Sequence, residues 1–558
     1  MAESAAADDN PSAGGPDYDA VVVGAGFAGL RMLHELRSLG LTGRVLEAGS
    51  DVGGTWYWNR YPGARTDSES WVYCYSFDDA LLQEWNWSAR FPAGGEVLDY
   101  LRHVADRLDL RRDIDLETRV RSGVYDAETS QWTITTENGR SITCRYFIPA
   151  TGFLSVAYRP SWEGLDDFHG EWYLTARWPS AEIDFDGKRV GVIGTGATAV
   201  QAIPEIAQNA EHLTVFQRTA QYVVPNRNHP LEEPQRTAIK RSYPEIWELC
   251  RRQVFGMPIK RTYRTIADVT PEEHRRILEA GWETGGFRFI FETLDDVVIN
   301  AESNAAACEF VREKIRTIVN EPGTAELLCP YDHPIGAKRI PLGHHYYDTY
   351  NRENVTLVSV RDTPIERITP NGLRLEDGRE YDLDVLVFAT GFDAGTGALA
   401  AMDIRGREGR TVAEHWQDGA RSYLGISVDG FPNMFMLTGP HLPLVNAPVL
   451  IEEQVQWVSR ALQFLESSNQ DAMEATPAAV AAYDKRLDEL LDATLLRDAA
   501  TVRSYYVGAN IPGKPHKVLF YFGGATKYFK EIHNVATQDW DGFEFTKLDP
   551  SNTRHGGV

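Results

Sequence analysis

Cysteine is scarce in this chain, and its spacing excludes two kinds of protein. The five cysteines among 558 residues lie far apart, and no two form a C-x-x-C pair. A disulfide framework is therefore not expected, and neither is the redox cysteine pair that a disulfide reductase needs. This cysteine usage fits a reducing compartment, so we predict a cytoplasmic location.

Long apolar runs and an excess of basic charge are also missing. No uninterrupted apolar run approaches ~20 residues, so no membrane span is expected. Lys and Arg number 56 against 80 Asp and Glu, and this net charge of −24 argues against nucleic acid or anionic lipid as a partner. A site for a polyanionic cofactor must then be locally basic, which makes individual arginines informative.

The length predicts several domains. A chain of 558 residues exceeds what one hydrophobic core usually holds, so roughly two or three domains are expected. Residues 1–16 are rich in Ala, Asp, Ser, Gly and Pro and lack the basic and apolar regions of a signal peptide. We predict that they form a disordered tail.

The segment after this tail has the order that a dinucleotide-binding fold requires. Tyr18–Val23 is an apolar run typical of a buried strand, a G-x-G-x-x-G loop follows, and leucines then recur at near-helical spacing. Such a loop lets backbone N–H groups approach a pyrophosphate. A carboxylate at the end of the next predicted strand can bind a ribose diol and would repel a 2′-phosphate. The residues assigned to this FAD- or NAD-type site are Gly24, Gly26, Phe27, Gly29 and Glu47.

The same order recurs further along with the opposite charge. Arg189–Ile193 is the predicted strand, a G-x-G-x-x-A loop follows, and Pro204 is expected to kink or end the helix. The next strand ends in Arg218 instead of an acid, and a guanidinium can bind a 2′-phosphate in bidentate fashion. The residues assigned to this NADPH site are Gly194, Thr195, Gly196, Ala197, Thr198, Ala199, Gln201, Arg218 and Thr219.

Two A-T-G sequences, at residues 150–152 and 389–391, each follow an apolar strand and mark the predicted crossings between the two folds. We therefore predict an α/β protein in which a second Rossmann-like domain is inserted in the first, with a further helical insertion. A strand is also predicted at Pro432–Leu437, before a long helix. The predicted FAD-binding domain is 17–152 and 391–558, the NADPH-binding domain is 153–229 and 331–390, and the helical insertion is 230–330.

Between the two glycine loops lies the segment Phe168–Pro179, which has the pattern F-x-G-x-x-x-L-x-x-x-W-P. It resembles the F-x-G-x-x-x-H-x-x-x-W-P/D fingerprint of Baeyer–Villiger monooxygenases, class B flavoenzymes that insert oxygen beside a ketone carbonyl. Leu174 stands where that family has histidine. A leucine can pack there but cannot form the hydrogen bond by which the histidine is thought to couple the two domains.

Three further segments are similar to the same family. Gly53–Asp67 matches G-G-x-W followed by Y-P-G-x-x-x-D, Gly336–Leu342 matches the K-R-P/L segment, and Arg503–Lys514 matches S-W-Y-x-G-A-N-x-P-G-K, with Tyr505 in place of tryptophan. His344 and His345 are adjacent and point apart, so no metal site is expected. The further residues assigned to the cofactors are Gly54, Thr55, Trp56, Trp58, Arg65, Thr66, Asp67, Tyr73, Val120, Lys338 and Tyr505.

The resemblance implies a reaction and two catalytic residues. NADPH reduces FAD, the reduced flavin captures O2 as a C4a-peroxide, and the anionic peroxide attacks a ketone to give an ester or lactone. Arg339 is the predicted cation beside the peroxide and the adduct oxyanion, because arginine keeps its proton in proteins. Asp67 is predicted to orient it through a charge-assisted pair. The expected partners are a small ketone and O2.

Two alternatives stay open at this stage. A protonated peroxide would oxidise soft nitrogen or sulfur atoms, which gives an N- or S-oxygenating monooxygenase of the same superfamily. Leu174 is also compatible with a flavin-binding protein that has no catalytic activity. The Lys338–Arg339 segment and Trp178-Pro179 favour the ketone-oxidising branch, whereas the identity of the ketone and the oligomeric state are not predicted.

Overall fold

The computed structural model describes residues 15–549. The predicted disordered tail lies outside this range apart from residues 15 and 16. No helix within 15–549 is both long enough and apolar enough to cross a membrane. The longer helices are Phe27–Ser38, Gly94–Arg107, Ala197–Asn209, Tyr243–Arg252, Pro271–Thr284, Ala301–Ile318, Ala447–Ser468, Pro477–Asp492 and Ala525–Thr537.

A seven-stranded sheet carries the first glycine loop. Its strand Tyr18–Val23 is parallel to Gly43–Leu46 on one side and to Ser141–Pro149 on the other. The predicted hairpin region adds antiparallel neighbours at Val120–Asp126 and Gln131–Thr136. The interior strand residues are fully buried, as expected for a sheet covered on both faces. This sheet confirms the first Rossmann-like fold.

A separate five-stranded sheet, parallel throughout, carries the second glycine loop. Its edge strand Glu171–Leu174 belongs to the fingerprint segment and pairs with Val385–Phe388, the strand that precedes the second A-T-G. The fingerprint is therefore part of the second sheet. The strands of this sheet, in spatial order, are Val355–Ser359, His212–Gln217, Arg189–Ile193, Val385–Phe388 and Glu171–Leu174.

The region predicted as a helical insertion is helical. Its helices from Pro271 onward pack with the second sheet in one hydrophobic core, in which Trp282, Phe289 and Phe310 contact one another through their rings. The helix Tyr243–Arg252 instead contributes Trp247 to the core of the first fold. A three-stranded antiparallel sheet between Ile365 and Asp382 was not predicted. The domain boundaries themselves stay predictions. The helices of the insertion are Glu233–Arg241, Tyr243–Arg252, Pro271–Thr284, Arg288–Phe291, Ala301–Ile318 and Pro322–Leu328.

Two local predictions differ from the structure. Pro204 does not end its helix, which continues from Ala197 to Asn209, while the predicted kink stays a prediction. Residues 432–437 form no regular strand: beside an isolated bridge between Phe147 and Met434, the N–H groups of Phe435 and Leu437 donate to the carbonyls of Phe147 and Pro149. The reason is Asn433, whose backbone has a φ of +57° and whose buried side chain bonds to the backbone of Asp471 and Met473. A left-handed residue cannot continue an extended strand.

Candidate cofactor and active site

The two glycine loops have the same geometry. Gly24 and Gly194 open them with φ values of +106° and +113°, a region that favours glycine. A Cβ on Gly24 would lie 2.7 Å from the carbonyl oxygen of Ala150, and one on Gly194 would lie 2.5 Å from that of Ala389. Ala150 and Ala389 begin the two A-T-G sequences. Each A-T-G therefore packs against the first glycine of its own loop, so only a bare backbone fits.

The first loop is closed by a carboxylate and by a second pair of glycines. Glu47 accepts hydrogen bonds from the backbone N–H groups of Ala25 and Gly49, each at 2.7 Å. Burial raises the pKa of Glu47, although these N–H donors oppose the shift. Gly26 and Gly54 approach so closely that a Cβ on Gly54 would lie 2.8 Å from the Cα of Gly26. The backbone cradle fits a dinucleotide, which such loops bind through N–H groups.

Aromatic rings pack beside this cradle. Tyr73 makes edge contacts with Phe27 and Trp56, at centroid distances of 5.4 and 5.6 Å. Burial raises the pKa of Tyr73 to about 12, so its hydroxyl stays protonated at neutral pH. Trp58 ends the short helix Thr55–Trp58, and its ring lies under the guanidinium of Arg177. The other residue assigned to this side, Val120, is buried at the start of its strand.

A cavity of about 730 Å³ lies between the second glycine loop, the Gly53–Asp67 segment and the C-terminal part of the chain. It brings together many of the residues that the sequence assigned to the cofactors. The assigned residues that line it are Thr55, Trp56, Arg65, Asp67, Gly194, Thr195, Gly196, Ala197, Thr198, Gln201, Arg218, Thr219, Lys338, Arg339 and Tyr505. The assigned residues outside its lining are Gly24, Gly26, Phe27, Gly29, Glu47, Gly54, Trp58, Thr66, Tyr73, Val120 and Ala199.

Arg339 and Asp67 form an ion pair at the wall of this cavity. The Nη2 atom of Arg339 donates to Oδ2 of Asp67 at 2.6 Å, across 272 residues of sequence. The guanidinium also lies 5.0 Å from the ring centroid of Phe287, which comes from the helical insertion. Burial disfavours the charge, but the Asp67 carboxylate outweighs it and raises the pKa of Arg339. The side chain keeps 37% accessibility, so this permanently charged group is open to the cavity.

Gln201 connects the second fold to the loop that carries Asp67. Its Oε1 accepts a hydrogen bond from the Tyr61 hydroxyl at 2.8 Å. Its Nε2 donates to the carbonyl of Arg65 at 3.2 Å and lies 3.5 Å from Oδ1 of Asp67. The structure places the amide of Gln201 between the second glycine-loop helix and the loop that carries Asp67, and its assignment to NADPH stays a prediction.

Three cationic side chains line one end of the same cavity: Arg218, Lys338 and Arg503. Lys338 donates from Nζ to the carbonyl of Val502 at 2.6 Å. Burial together with the positive charge of Arg218 lowers the pKa of Lys338 to about 8. Burial and Arg503 lower the pKa of Arg218. Thr219 directly follows Arg218 in the chain, and its carbonyl accepts a hydrogen bond from the Thr195 hydroxyl at 2.9 Å.

The two residues that depart from the family pattern lie in different surroundings. Tyr505 lines the cavity, and its ring stands 4.9 Å from that of Tyr506 and 6.4 Å from that of Phe153. Leu174 is half-buried, pairs with Phe388 in the sheet and packs against the apolar cluster around it. Leu174 is not among the cavity-lining residues.

Sequence reasoning missed several residues of this site. Tyr61, Phe287 and Arg503 contact or adjoin assigned residues, yet none was assigned a role. Tyr61 and Arg503 lie inside segments that the family patterns already marked, and Arg503 is an arginine in an acidic chain, which was a usable signal. No sequence feature pointed to Phe287, because its partner Arg339 is distant in sequence. Within residues 15–549 no group of His, Cys, Asp and Glu is arranged to hold a metal ion.

Comparison with known proteins finds relatives that match this protein over nearly the whole chain. Residues 21–272 match the family described as pyridine nucleotide-disulphide oxidoreductase. A Baeyer–Villiger monooxygenase of Pseudooceanicola batsensis is 43% identical over 95% of this chain and 97% of its own. A phenazine N-monooxygenase of Lysobacter antibioticus is 43% identical over 96% of this chain and 98% of its own. The solved structure of OTEMO in complex with FAD and NADP has a TM-score of 0.92 at 38% identity, covering 95% of this chain and 100% of that one.

Two Rossmann-like folds that share a cavity, with an arginine–aspartate pair on its wall, define a flavoprotein monooxygenase of the two-dinucleotide-domain type. All five cysteines are buried and free, and no two of them form a C-x-x-C pair. The chain belongs to the Baeyer–Villiger monooxygenase family.

Proposed function

We propose that this protein converts a small ketone to an ester or lactone, with FAD as the bound cofactor, NADPH as the reductant and O2 as the oxidant. One oxygen atom enters the product and the other leaves as water, while NADPH and a proton become NADP⁺. The flavin supplies the oxygen activation when it is bound. The observation that carries the proposal is the Arg339–Asp67 pair on the wall of the cavity between the two folds.

The roles of the chain's own residues follow from their placement. The cradle of Gly24, Gly26, Gly54 and Glu47 holds FAD. Arg218 and its neighbouring cations hold the 2′-phosphate of NADPH, because Glu47 has no counterpart there. The other residues assigned from the sequence keep their proposed cofactor roles.

Arg339 stabilises negative charge that develops on oxygen during the reaction, since a fixed cation in a cavity needs no reorganisation at that moment. Asp67 is a positioning residue for it. A cytoplasmic location stays a prediction, supported by the five free cysteines.

A second candidate is oxygenation of an aromatic ring nitrogen. It is favoured by one observation, the 43% identity to a phenazine N-monooxygenase over nearly the full length of both chains. The two reactions need the same cofactors and the same cavity. They differ in the atom that is attacked, and the requirement for a cation beside the reacting oxygen is expected to be stronger for the ketone.

Product analysis under ¹⁸O2 tests the proposal. The FAD-loaded protein would be incubated with NADPH and a panel of cyclic and linear ketones, with phenazine as a parallel substrate. We expect an ester or lactone that contains one ¹⁸O atom. Formation of an N-oxide alone would favour the second candidate, and NADPH consumption that yields only hydrogen peroxide would contradict both.

A further inference from the structure

The cationic end of the cavity contains an arginine from a distant part of the chain. Arg503 follows the short helix Leu495–Ala500, whereas Arg218 ends a strand of the second sheet and Lys338 precedes the catalytic arginine. All three side chains line the same cavity. Their convergence in a chain of net charge −24 needs a reason, because like charges repel.

Ordinary ion pairing does not supply that reason. Most arginines of residues 15–549 lie within 4.0 Å of a carboxylate, but neither Arg218 nor Arg503 has such a partner in this part of the chain. Asp332 acts on Lys338 from nearby, yet its carboxylate is already paired with Arg361 at 2.9 Å and with His333 at 2.6 Å. Arg218 and Arg503 are both exposed and line the cavity without a carboxylate of the described residues within 4.0 Å, next to a Lys338 whose nearby acid is shared with two other residues.

The backbone holds Arg503 in this place. The carbonyl of the preceding residue, Val502, accepts the 2.6 Å hydrogen bond from Lys338, so the two segments are joined directly beside the cations. Arg503 itself has a φ of +52°, in the left-handed region that side chains other than glycine rarely adopt. Its N–H donates to the carbonyl of Ala500 at 3.1 Å, which closes the turn after the helix. A residue kept in a strained conformation beside a site is a candidate for function.

We propose that Arg503 is a further residue for cofactor specificity, and that it completes a three-cation site for the 2′-phosphate of NADPH together with Arg218 and Lys338. A phosphomonoester carries nearly two negative charges at neutral pH and three acceptor oxygens, which matches two guanidinium groups and an amine. The inference rests on the proposed use of NADPH and adds a residue from the C-terminal segment to the site.

The mutual effects of the three cations agree with this assignment. Arg503 contributes, after burial, to the lowered pKa of Arg218, and it is also among the causes of the lowered pKa of Lys338. A bound dianion would relieve this repulsion. The ligand would therefore bind to a site whose charges oppose one another in its absence, as expected of a site organised for an anion.

The test measures binding, so it does not depend on turnover. The FAD-loaded full chain would be titrated by calorimetry with adenosine 2′,5′-bisphosphate and with adenosine 5′-monophosphate, which differ only in the 2′-phosphate. We expect Arg503→Gln to weaken binding of the bisphosphate only roughly tenfold, since the side chain is exposed, and to leave the monophosphate unaffected. Arg503→Lys should be intermediate, because it keeps the charge but loses the planar fork.

The controls separate a local effect from a general one. Arg497→Gln removes an exposed arginine of the preceding helix Leu495–Ala500 that does not line the cavity, and it should leave both affinities unchanged. At position 503 the left-handed backbone conformation is as unfavourable for Gln and Lys as it is for Arg, so these substitutions do not change the backbone strain. The flavin absorbance and the unfolding temperature of each variant show whether it is folded. Added salt should reduce the difference between wild type and Arg503→Gln, since exposed charges are screened.

Two results would overturn the inference. One is an Arg503→Gln variant with wild-type affinity for the bisphosphate, and the other is an equal loss of affinity for both nucleotides. If the wild-type protein itself bound the two nucleotides equally, the proposed preference for NADPH would fail as well. If the wild type discriminated and Arg503→Gln discriminated equally, only the role of Arg503 would be lost.

Discussion

Replacing Arg339 with alanine removes the guanidinium that Asp67 holds at the cavity wall. The glycine cradle and Glu47 are not touched by this change, so FAD binding should persist. Loss of one fixed donor for a developing oxyanion costs about 10²–10³ in rate, or about 2.7–4 kcal/mol, in a comparable site. We expect ester or lactone formation to fall by that factor. Stability should fall by only about 1 kcal/mol, because the side chain is 37% accessible and its ion pair is partly solvated.

The assay separates reduction from oxygen insertion. Stopped-flow absorbance follows anaerobic reduction of the flavin by NADPH, and the reduced enzyme is then mixed with O2 and ketone for product analysis. Arg339→Ala should reduce its flavin and release peroxide in place of product. Arg339→Lys should recover little, since a point charge on a flexible stem cannot reproduce the fork. Arg497→Gln, which alters an exposed arginine outside the cavity lining, is the control. Ketone oxidation by Arg339→Ala within a few-fold of wild type would refute the reasoning.

Three further changes test neighbouring parts of the argument. Asp67→Asn keeps the shape of the side chain but removes its charge. It should lower product formation roughly tenfold while FAD stays bound, because charge-assisted hydrogen bonds are about twice as strong as neutral ones. An unchanged product yield would show that Asp67 does not position Arg339. Leu174→His should lower the free energy of unfolding by about 1 kcal/mol, because a half-buried leucine loses part of its transfer free energy. Thermal unfolding measures this change. A loss of soluble, FAD-loaded protein would show that Leu174 is packed more tightly than its burial indicates. The amine of Lys338 is charged below and neutral above its pKa of about 8, so the affinity for NADP⁺ should fall as pH rises through that value, and Lys338→Met should abolish this dependence.

The nucleotide folds could be predicted because their signals are local. A buried strand, a glycine loop and a helix lie next to one another in sequence, and each is dictated by backbone sterics and burial. The same holds for the A-T-G sequences, although their contact with Gly24 and Gly194 appears only in the structure. The Arg339–Asp67 pair was predicted only through the family resemblance, because no spacing rule joins residues 272 positions apart.

The failures have a common physical origin. Asn433 has a left-handed backbone and binds Asp471 and Met473 through its side chain, a tertiary effect that its apolar neighbours concealed. Pro204 is buried within its helix, next to Ile203 and Ile206 of the second core, and packing there outweighs the lost hydrogen bond. Phe287 reaches Arg339 from a segment that carries no motif. Each of these outcomes depends on residues that are distant in sequence.

The missing histidine of the fingerprint does not leave the two folds without polar contact. Arg177, three residues after Leu174, donates to the carbonyl of Ser155 at 2.6 Å and lies 4.7 Å from the ring centroid of Trp58, beside the predicted FAD site. On the other side of the interface, Gln201 bonds to Tyr61 and to the loop that carries Asp67. A displacement of the second glycine-loop helix would therefore act on the aspartate that pairs with Arg339. The leucine contributes only packing. The Arg177–Ser155 bond lies within the predicted NADPH-binding domain, whereas the Arg177–Trp58 contact and the hydrogen bonds of Gln201 join the two folds.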